Sequence, residues 1–375
     1  MQITKALALS SLCGSLLPGA AHAQGWRWQS ALVVAERGDD NLFARPVAPE
    51  RDWITGVDAG LAVAGGGPRR SWQVHYRQGA ERYAAHPELD TLDARRDAGL
   101  HWQARATRTL DASVTATYLR TASAGELYRS SGVDLGRLSA RRLRVTTDLV
   151  RRLSARSTLS GGLAATRDEV EGAAALGGAV LALRLDHDRS PQTRLSVRTD
   201  ARWYDLAPGS RVASQLVAVG CRRRVGPAVE LGLDAGPRLG RGTASAEWLA
   251  SLRTRGRRGE WTIEWGQGEV AVAGVTRPVV TQRLGTSLAR SVGALDGRLA
   301  LDLLRNSGGL ETAAWQASAE ARLRLADAFA IALAGAWSRQ REGSPASAPG
   351  EVRHFVTELR LSARPGRRRE IADVR

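Results

Sequence analysis

The sequence has 375 residues and a formal net charge of +16, and nearly all of its basic side chains are arginines because Lys5 is the only lysine. No run of 18 apolar residues occurs after the first 23 residues, which excludes a protein built from transmembrane helices. Cys13 and Cys221 are the only cysteines, so a fold supported by several disulfides is excluded as well.

The first 23 residues have the features of a secretory signal peptide. Lys5 provides the positive start, residues 6–17 are mostly apolar, and Ala21-His22-Ala23 matches the small-residue pattern that precedes a cleavage site. We therefore expect residues 1–23 to be removed on export, and Cys13 with them.

From residue 24 onward the dominant pattern is the alternation of apolar and polar residues. Every odd position of residues 313–325 is apolar, and Leu195 is flanked by Arg194 and Ser196 in the same way. This pattern predicts strands with one apolar face and one polar face. The predicted strands are 26–36, 52–64, 70–83, 95–107, 110–121, 139–151, 156–167, 174–187, 192–204, 211–222, 227–236, 243–254, 258–268, 279–290, 296–305, 312–325, 328–340 and 352–363.

The predicted connections alternate between longer and shorter ones along the whole chain, and the longest covers residues 122–138. This order predicts an all-β fold, a single transmembrane antiparallel β-barrel of about 18 strands with short periplasmic turns and longer extracellular loops. The predicted barrel covers residues 24–364, and residues 365–375 form a basic C-terminal tail. The expected location is the outer membrane of a Gram-negative bacterium.

Several aromatic residues fall near the ends of predicted strands, where outer-membrane barrels carry rings of aromatic side chains at the two membrane interfaces. They are Trp26, Trp28, Trp53, Trp72, Trp203, Tyr204, Phe329 and Trp337. We expect them to lie in those rings.

The polar face of the predicted strands is the candidate functional surface, since it faces the inside of a barrel. The predicted pore-lining residues are Arg142, Arg144, Asp148, Arg194, Arg198, Asp200, Arg202, Glu320, Arg322 and Arg324. Two interpretations remain open. These side chains pair across strands and only hydrate the interior, or they form an arginine-biased pore that favours anions. In the second case Arg194, Arg198 and Arg202 form a basic ladder along one strand, and no loop is long enough to enter the pore.

Motifs for catalysis are absent from the sequence. His75 and His101 lie on polar faces of neighbouring strands, but no third ligand accompanies them, so we expect neither a metal nor a cofactor. No serine stands in a nucleophile-elbow motif, and we expect no enzymatic activity.

The segment Asp40-Asn41-Leu42-Phe43 resembles a recurring element in a family of outer-membrane β-barrel porins associated with exopolysaccharide biosynthesis and export. The resemblance implies an outer-membrane role in polysaccharide export and brings no catalytic residue. The expected function is thus an outer-membrane channel for anionic solutes or for exopolysaccharide. The alternative is a surface-exposed binding or adhesion barrel without transport. The expected partners are outer-membrane lipid, lipopolysaccharide, the outer-membrane assembly machinery, and anionic solutes or polysaccharide, with no nucleic acid.

Overall fold

Alternating apolar and polar residues favour extended backbone when each face of the resulting sheet meets a different environment. The computed structural model describes residues 26–128, 131, 137–207, 210–240, 243–308, 310–342 and 350–363. The predicted signal peptide and basic tail lie outside these residues. Over the described ranges, no helix is long and apolar enough to cross a membrane.

The described residues form 18 strands. They are β1 (Trp26–Asp39), β2 (Asp52–Gly67), β3 (Arg70–Tyr83), β4 (Thr91–Arg105), β5 (Leu110–Thr121), β6 (Ala140–Arg152), β7 (Ser157–Val170), β8 (Leu176–Ser190), β9 (Thr193–Ala207), β10 (Ser210–Arg224), β11 (Val229–Gly240), β12 (Thr243–Gly256), β13 (Gly259–Val270), β14 (Val279–Val292), β15 (Leu295–Gly308), β16 (Thr312–Ala326), β17 (Phe329–Glu342) and β18 (Glu351–Ala363). A 3-10 helix (Pro87–Leu89) follows β3, and a short helix α1 (Gly125–Tyr128) follows β5.

Each strand pairs with its neighbours in sequence, and β18 returns to pair with β1 in antiparallel register. The closing pair runs from Leu32 opposite Ala363 to Asp39 opposite Val356. A sheet closed in this way satisfies its backbone hydrogen bonds internally, as a membrane-spanning sheet must. The predicted fold and the predicted strand number are confirmed.

The register places the apolar positions of neighbouring strands on one wall. Leu301 lies opposite Ala317, which lies opposite Trp337, which in turn lies opposite Phe355. Leu301 is 38% exposed and Phe355 is 45% exposed. A continuous belt of exposed apolar side chains is unfavourable in water and favourable against lipid, so this is the outer wall of the barrel.

Most of the predicted interfacial aromatics lie on this outer wall. Trp26 packs edge-on against Trp72, with 5.1 Å between the ring centroids, at one end of the barrel. Trp53 is 64% exposed at the other end. Tyr204 is the exception, because it follows Trp203 directly on β9 and therefore faces the interior, where it packs against buried apolar residues. For Tyr204 the interfacial prediction is wrong.

The two ends of the barrel differ in the length of their connections. The longer ones at one end cover 40–51, 84–90, 122–139 and 271–278, whereas those at the other end include 68–69, 191–192, 257–258 and 293–294. Longer loops mark the extracellular end of such barrels. The predicted alternation has exceptions, because β9 and β11 extend past their predicted ends. Only two residues then separate β9 from β10 and β11 from β12.

Candidate functional site: the barrel interior

The interior wall carries the charged side chains that alternate with the outward apolar ones. All ten predicted pore-lining residues alternate along their strands with outward residues, as Arg322 and Arg324 do with the exposed Leu323 and Leu325. These ten residues occupy three strands, β6, β9 and β16, and β6 lies opposite β15–β16 in the ring. The structure therefore groups some of them and separates others.

A cluster of five charged side chains on β9, β11 and β12 forms what we term the Arg238 network. Its members are Arg198, Asp200, Arg202, Arg238 and Glu247. Arg238 is 1% exposed and donates from Nη2 to Asp200 Oδ1 at 2.6 Å and from Nε to Glu247 Oε2 at 2.7 Å. Arg202 lies 3.1 Å from Asp200 and 3.2 Å from Glu247, and Arg198 donates to Glu247 at 3.0 Å. Three guanidinium groups thus share two carboxylates and link three strands.

Arg238, the most buried member of this network, is not among the predicted pore-lining residues. The predicted eleventh strand ends at residue 236, whereas β11 continues through Pro237 to Gly240. A proline inside a strand is unusual, since it cannot donate a ladder hydrogen bond. The position of Arg238 could have identified it, because a residue two places beyond Gly236 on a strand faces the same side of the sheet as Gly236.

The predicted basic ladder is not a row of free cations. Arg194 donates from Nε to Asp188 Oδ1 at 2.7 Å, and Arg198 and Arg202 belong to the Arg238 network. By contrast, Arg144 and Arg322 have no carboxylate within 4 Å in the part of the chain that the structure describes. The structure thus favours cross-strand pairing for the ladder and leaves other arginines unpaired.

Replacing Arg238 by methionine should lower the free energy of unfolding by roughly 3 kcal/mol, because the buried Asp200 and Glu247 would lose a cation. The other two arginines of the network still contact these carboxylates, which keeps the loss at the low end of the usual range. Urea titration in lipid vesicles, followed by tryptophan fluorescence, measures the change. Arg144→Met is the matched control and should alter stability by less than about 0.5 kcal/mol. Equal losses in the two variants would contradict the role given to Arg238.

The described residues of the connection 122–139, which are 122–128, 131 and 137–139, include α1 and are anchored inside the barrel, and we term this connection the crossing loop. Arg142 binds Asp168 through Nε at 2.7 Å and Nη2 at 2.6 Å, and its Nη1 donates to Leu127 O at 3.0 Å. Tyr128 donates to the same Asp168 carboxylate at 3.2 Å. The predicted pore-lining residue Arg142 therefore holds this loop against the interior wall.

The same loop reaches the opposite wall. Asn306 on β15 donates from Nδ2 to Ser131 O at 2.7 Å. In a ring of 18 strands, β15 lies nine positions from β6, which is halfway around the barrel. The expectation that no loop enters the interior is therefore wrong. The length of a loop is a poor guide to whether it can enter the barrel, because even 10 residues of extended chain span about 33 Å.

Apolar side chains explain why the loop turns inward. Leu127 and Tyr128 are buried in a cluster with Val272 of the connection 271–278, together with Leu206 and Val279 of the wall. Burial of this kind is worth roughly 1.5–3 kcal/mol for each large apolar side chain. Two connections thus meet inside the extracellular half of the barrel and narrow it.

The hydroxyl of Tyr128 ties the two connections together. It donates to Asp168 and accepts a hydrogen bond from the backbone N–H of Ala273 at 3.3 Å. Burial, reinforced by the neighbouring Asp168 carboxylate, raises the pKa of Tyr128 above its ordinary value. The hydroxyl therefore stays protonated and can serve as the donor at any physiological pH.

The segment Asp40-Asn41-Leu42-Phe43 closes the seam between the first and last strands. Asn41 Nδ2 donates to Arg353 O of β18 at 2.9 Å, and the backbone N–H of Phe355 donates to Asp40 Oδ1 at 2.6 Å. Leu42 is 4% exposed and packs in a small core below the loop. The polar groups of this segment are thus used to hold the barrel shut.

His86 joins the connections 40–51 and 84–90 at the extracellular end. Its Nδ1 lies 2.8 Å from Asp52 Oδ2, and its Nε2 lies 2.9 Å from Glu50 Oε2. Both ring nitrogens can donate only when the ring is protonated. The hydrogen bonds, first with Asp52 and then with Glu50, accordingly raise the pKa of His86 above its ordinary value of 6.5.

This pair of contacts should make the two connections sensitive to pH. The pKa of His86 is raised in the folded protein. The stabilisation that protonated His86 gives to the two connections is therefore complete below the unfolded-state pKa of about 6.5, and it is lost as the pH rises through the raised pKa. We expect hydrogen exchange of residues 84–90, corrected for the intrinsic pH dependence, to accelerate above that range. In His86→Gln the corrected rate should be fast at every pH. A flat wild-type profile up to about pH 9 would contradict the assignment.

No protein-family model matches this sequence, and no curated protein matches it. In structure it is similar to the outer-membrane porin OccK11 (OpdR) of Pseudomonas aeruginosa, with a TM-score of 0.50, 13% identity, and coverage of 90% of this chain and 95% of that chain. OccK5 (OpdH) of the same organism gives a TM-score of 0.49 at 10% identity, covering 92% of this chain and 99% of that chain. At such identities the likeness to OccK11 concerns the fold alone. With its closed 18-stranded sheet and apolar outer wall, the chain is an outer-membrane β-barrel of a Gram-negative bacterium.

Proposed function

We propose that this protein is a passive channel of the outer membrane for small solutes, with a mild preference for anions. The observation that carries the proposal is the interior itself, a wall of charged side chains enclosed by a ring of 18 strands. Barrels of 16–18 strands are wide enough to hold a water-filled path. The crossing loop narrows this path and limits the size of the solute.

The anion preference rests on the interior arginines that lack a carboxylate partner. Arg144 and Arg322 are available to solutes, whereas the arginines of the predicted ladder are paired with Asp188, Asp200 and Glu247. Asp148 and Glu320 also face the interior, so the excess of positive charge is small. Charges exposed to water are screened over about 8 Å at physiological salt, which weakens the preference further.

Export of exopolysaccharide is less favoured than passage of small solutes. A polymer needs a wide, continuous path, whereas the crossing loop bridges the interior from Asp168 to Asn306. The alternative of a binding or adhesion barrel would depend on long exposed loops. Here Leu127, Tyr128 and Ser131 of the longest connection bind the interior wall, which leaves less surface outside for a partner.

Recordings from planar bilayers with a salt gradient test the proposal. The purified wild-type barrel should conduct, with a reversal potential displaced to the anion side that shrinks as the salt concentration rises. Arg144→Gln combined with Arg322→Gln should move the reversal potential towards zero. The matched control is Arg151→Gln combined with Arg223→Gln, which removes equal charge from the outer wall and should leave the potential unchanged. A cation preference, or no conductance, would contradict the proposal.

A further inference from the structure

Three arginines form a row on the outer wall, near the extracellular ends of their strands. Arg96 of β4 lies opposite Arg120 of β5, and Arg120 lies opposite Arg141 of β6. Two residues further along these strands, the same face carries Tyr118 and the 51% exposed Leu143. The row therefore borders the apolar belt at its extracellular edge. We term Arg96, Arg120 and Arg141, with the adjacent Arg167 of β7, the arginine row.

Carboxylates neutralise only half of the charge in this row. Asp93 pairs with Arg96 at 2.5 Å and also with Arg120. Glu169 pairs with Arg141, and it accepts from Arg167 Nε at 2.8 Å. Over the described part of the chain, no other carboxylate lies within 4 Å of the four guanidinium groups. Two positive charges remain in excess.

The two excess positive charges of the arginine row destabilise the outer wall unless another group neutralises them. Side chains directly opposite each other on antiparallel strands have Cβ atoms about 5 Å apart, and like charges in such positions destabilise the pair. Arg120 occupies the middle of the row, with another arginine opposite it on either side. Arg141 and Arg167 remain 61% and 67% exposed, so their guanidinium groups are accessible from outside.

We infer that the arginine row binds the phosphate groups of a phosphorylated glycolipid of the outer leaflet, the lipid A portion of lipopolysaccharide. Guanidinium groups bind phosphate oxygens with paired, charge-assisted hydrogen bonds. A lipid phosphate at this height would lie at the boundary of the apolar belt, and its acyl chains would run down the wall over Leu143 and Val145. A soluble phosphate gains the ionic contacts without this apolar surface. The row thus matches a ligand that is anionic at one end and apolar at the other.

The inference depends on the outer-membrane location and not on the proposed channel activity. Barrel extracted from outer membranes in mild detergent should carry lipid A that native mass spectrometry detects. Arg120→Gln combined with Arg141→Gln should reduce the retained lipid A at least tenfold, since the loss of even one charge-assisted contact is worth about one order of magnitude. Arg151→Gln combined with Arg223→Gln removes equal charge from the periplasmic end of the outer wall and should retain the lipid. Conductance of each variant, measured in parallel, reports on the channel separately.

Two further measurements decide the source of the phosphate. Purified barrel, freed of lipid and placed in nanodiscs of phosphatidylcholine, should bind added bis-phosphorylated lipid A and should bind dephosphorylated lipid A at least tenfold more weakly. Inorganic phosphate at millimolar concentration should not displace the lipid. Equal retention by wild type and the Arg120/Arg141 variant, equal binding of the dephosphorylated lipid, or displacement by inorganic phosphate would each overturn the assignment.

Discussion

Replacing Leu301 by arginine should prevent most of the protein from folding into membranes, at a cost of about 2–4 kcal/mol. Leu301 lies at the middle of β15 (Leu295–Gly308) and faces outward, so the new charge would sit near the midplane of the bilayer. Folding yield into lipid vesicles, read from the shift of the heat-modifiable band on gels, measures the effect.

Ser318→Arg is the matched control for this substitution. Ser318 lies on the neighbouring strand β16, opposite Ala300, and is exposed on the interior side. The added arginine would be hydrated there and should change the folding yield little. Equal losses for Leu301→Arg and Ser318→Arg would mean that the inner and outer faces are assigned wrongly. Ser196 is a poorer control, since it is 6% exposed and donates to Asp234 at 3.2 Å.

The strands could be predicted because the information for them is local. A residue such as Leu323 differs in polarity from Arg322 and Arg324 beside it, and this contrast sets the face of each side chain without knowledge of the fold. The closed ring was predicted from the order of the connections, which alternate between longer and shorter ones along the sequence. Errors occurred at strand ends, as at β11, which continues through Pro237.

The interior contacts could not be predicted, because they join residues far apart in the sequence. Asn306 and Ser131 are separated by 175 positions, and nothing near either residue indicates the other. The buried position of Arg238 likewise depends on carboxylates of two other strands. The local signal was the presence of large apolar residues in this loop, among them the pair Leu127-Tyr128, which favours burial.

Pairing within the interior has a consequence for selectivity. An arginine in the Arg238 network is held by carboxylates and contributes little net field, whereas Arg144 is free to attract a solute. Counting arginines in the sequence therefore overstates the preference for anions. The interior combines a fixed network on one wall, in which three arginines share two carboxylates, with a few unpaired cations elsewhere. Size exclusion by the crossing loop, more than charge, should then determine which solutes pass.

Removing the crossing loop should raise the single-channel conductance several-fold. The variant replaces residues 124–137 by a short Gly-Ser linker, which removes the buried Leu127 and Tyr128 and the contact from Ser131 to Asn306. Ion flow is limited by the narrowest part of a pore, and without the loop an 18-stranded barrel leaves a wide aqueous path. Larger neutral sugars should also enter, as measured by swelling of liposomes that contain the barrel.

A milder variant tests whether the position of the crossing loop matters, since it keeps the loop but removes the hydrogen bonds that hold it. Tyr128→Ala combined with Asn306→Ala keeps the chain length but removes the hydrogen bonds to Asp168 and Ser131. We expect an intermediate conductance with larger current fluctuations, because the loop would no longer be held at both walls. Pro68→Ala combined with Arg69→Ala, in the short turn at the opposite end, should keep the wild-type value. If the loop deletion left both conductance and sugar permeation unchanged, the narrowest part of the path would lie elsewhere, and the role given to the crossing loop would be wrong.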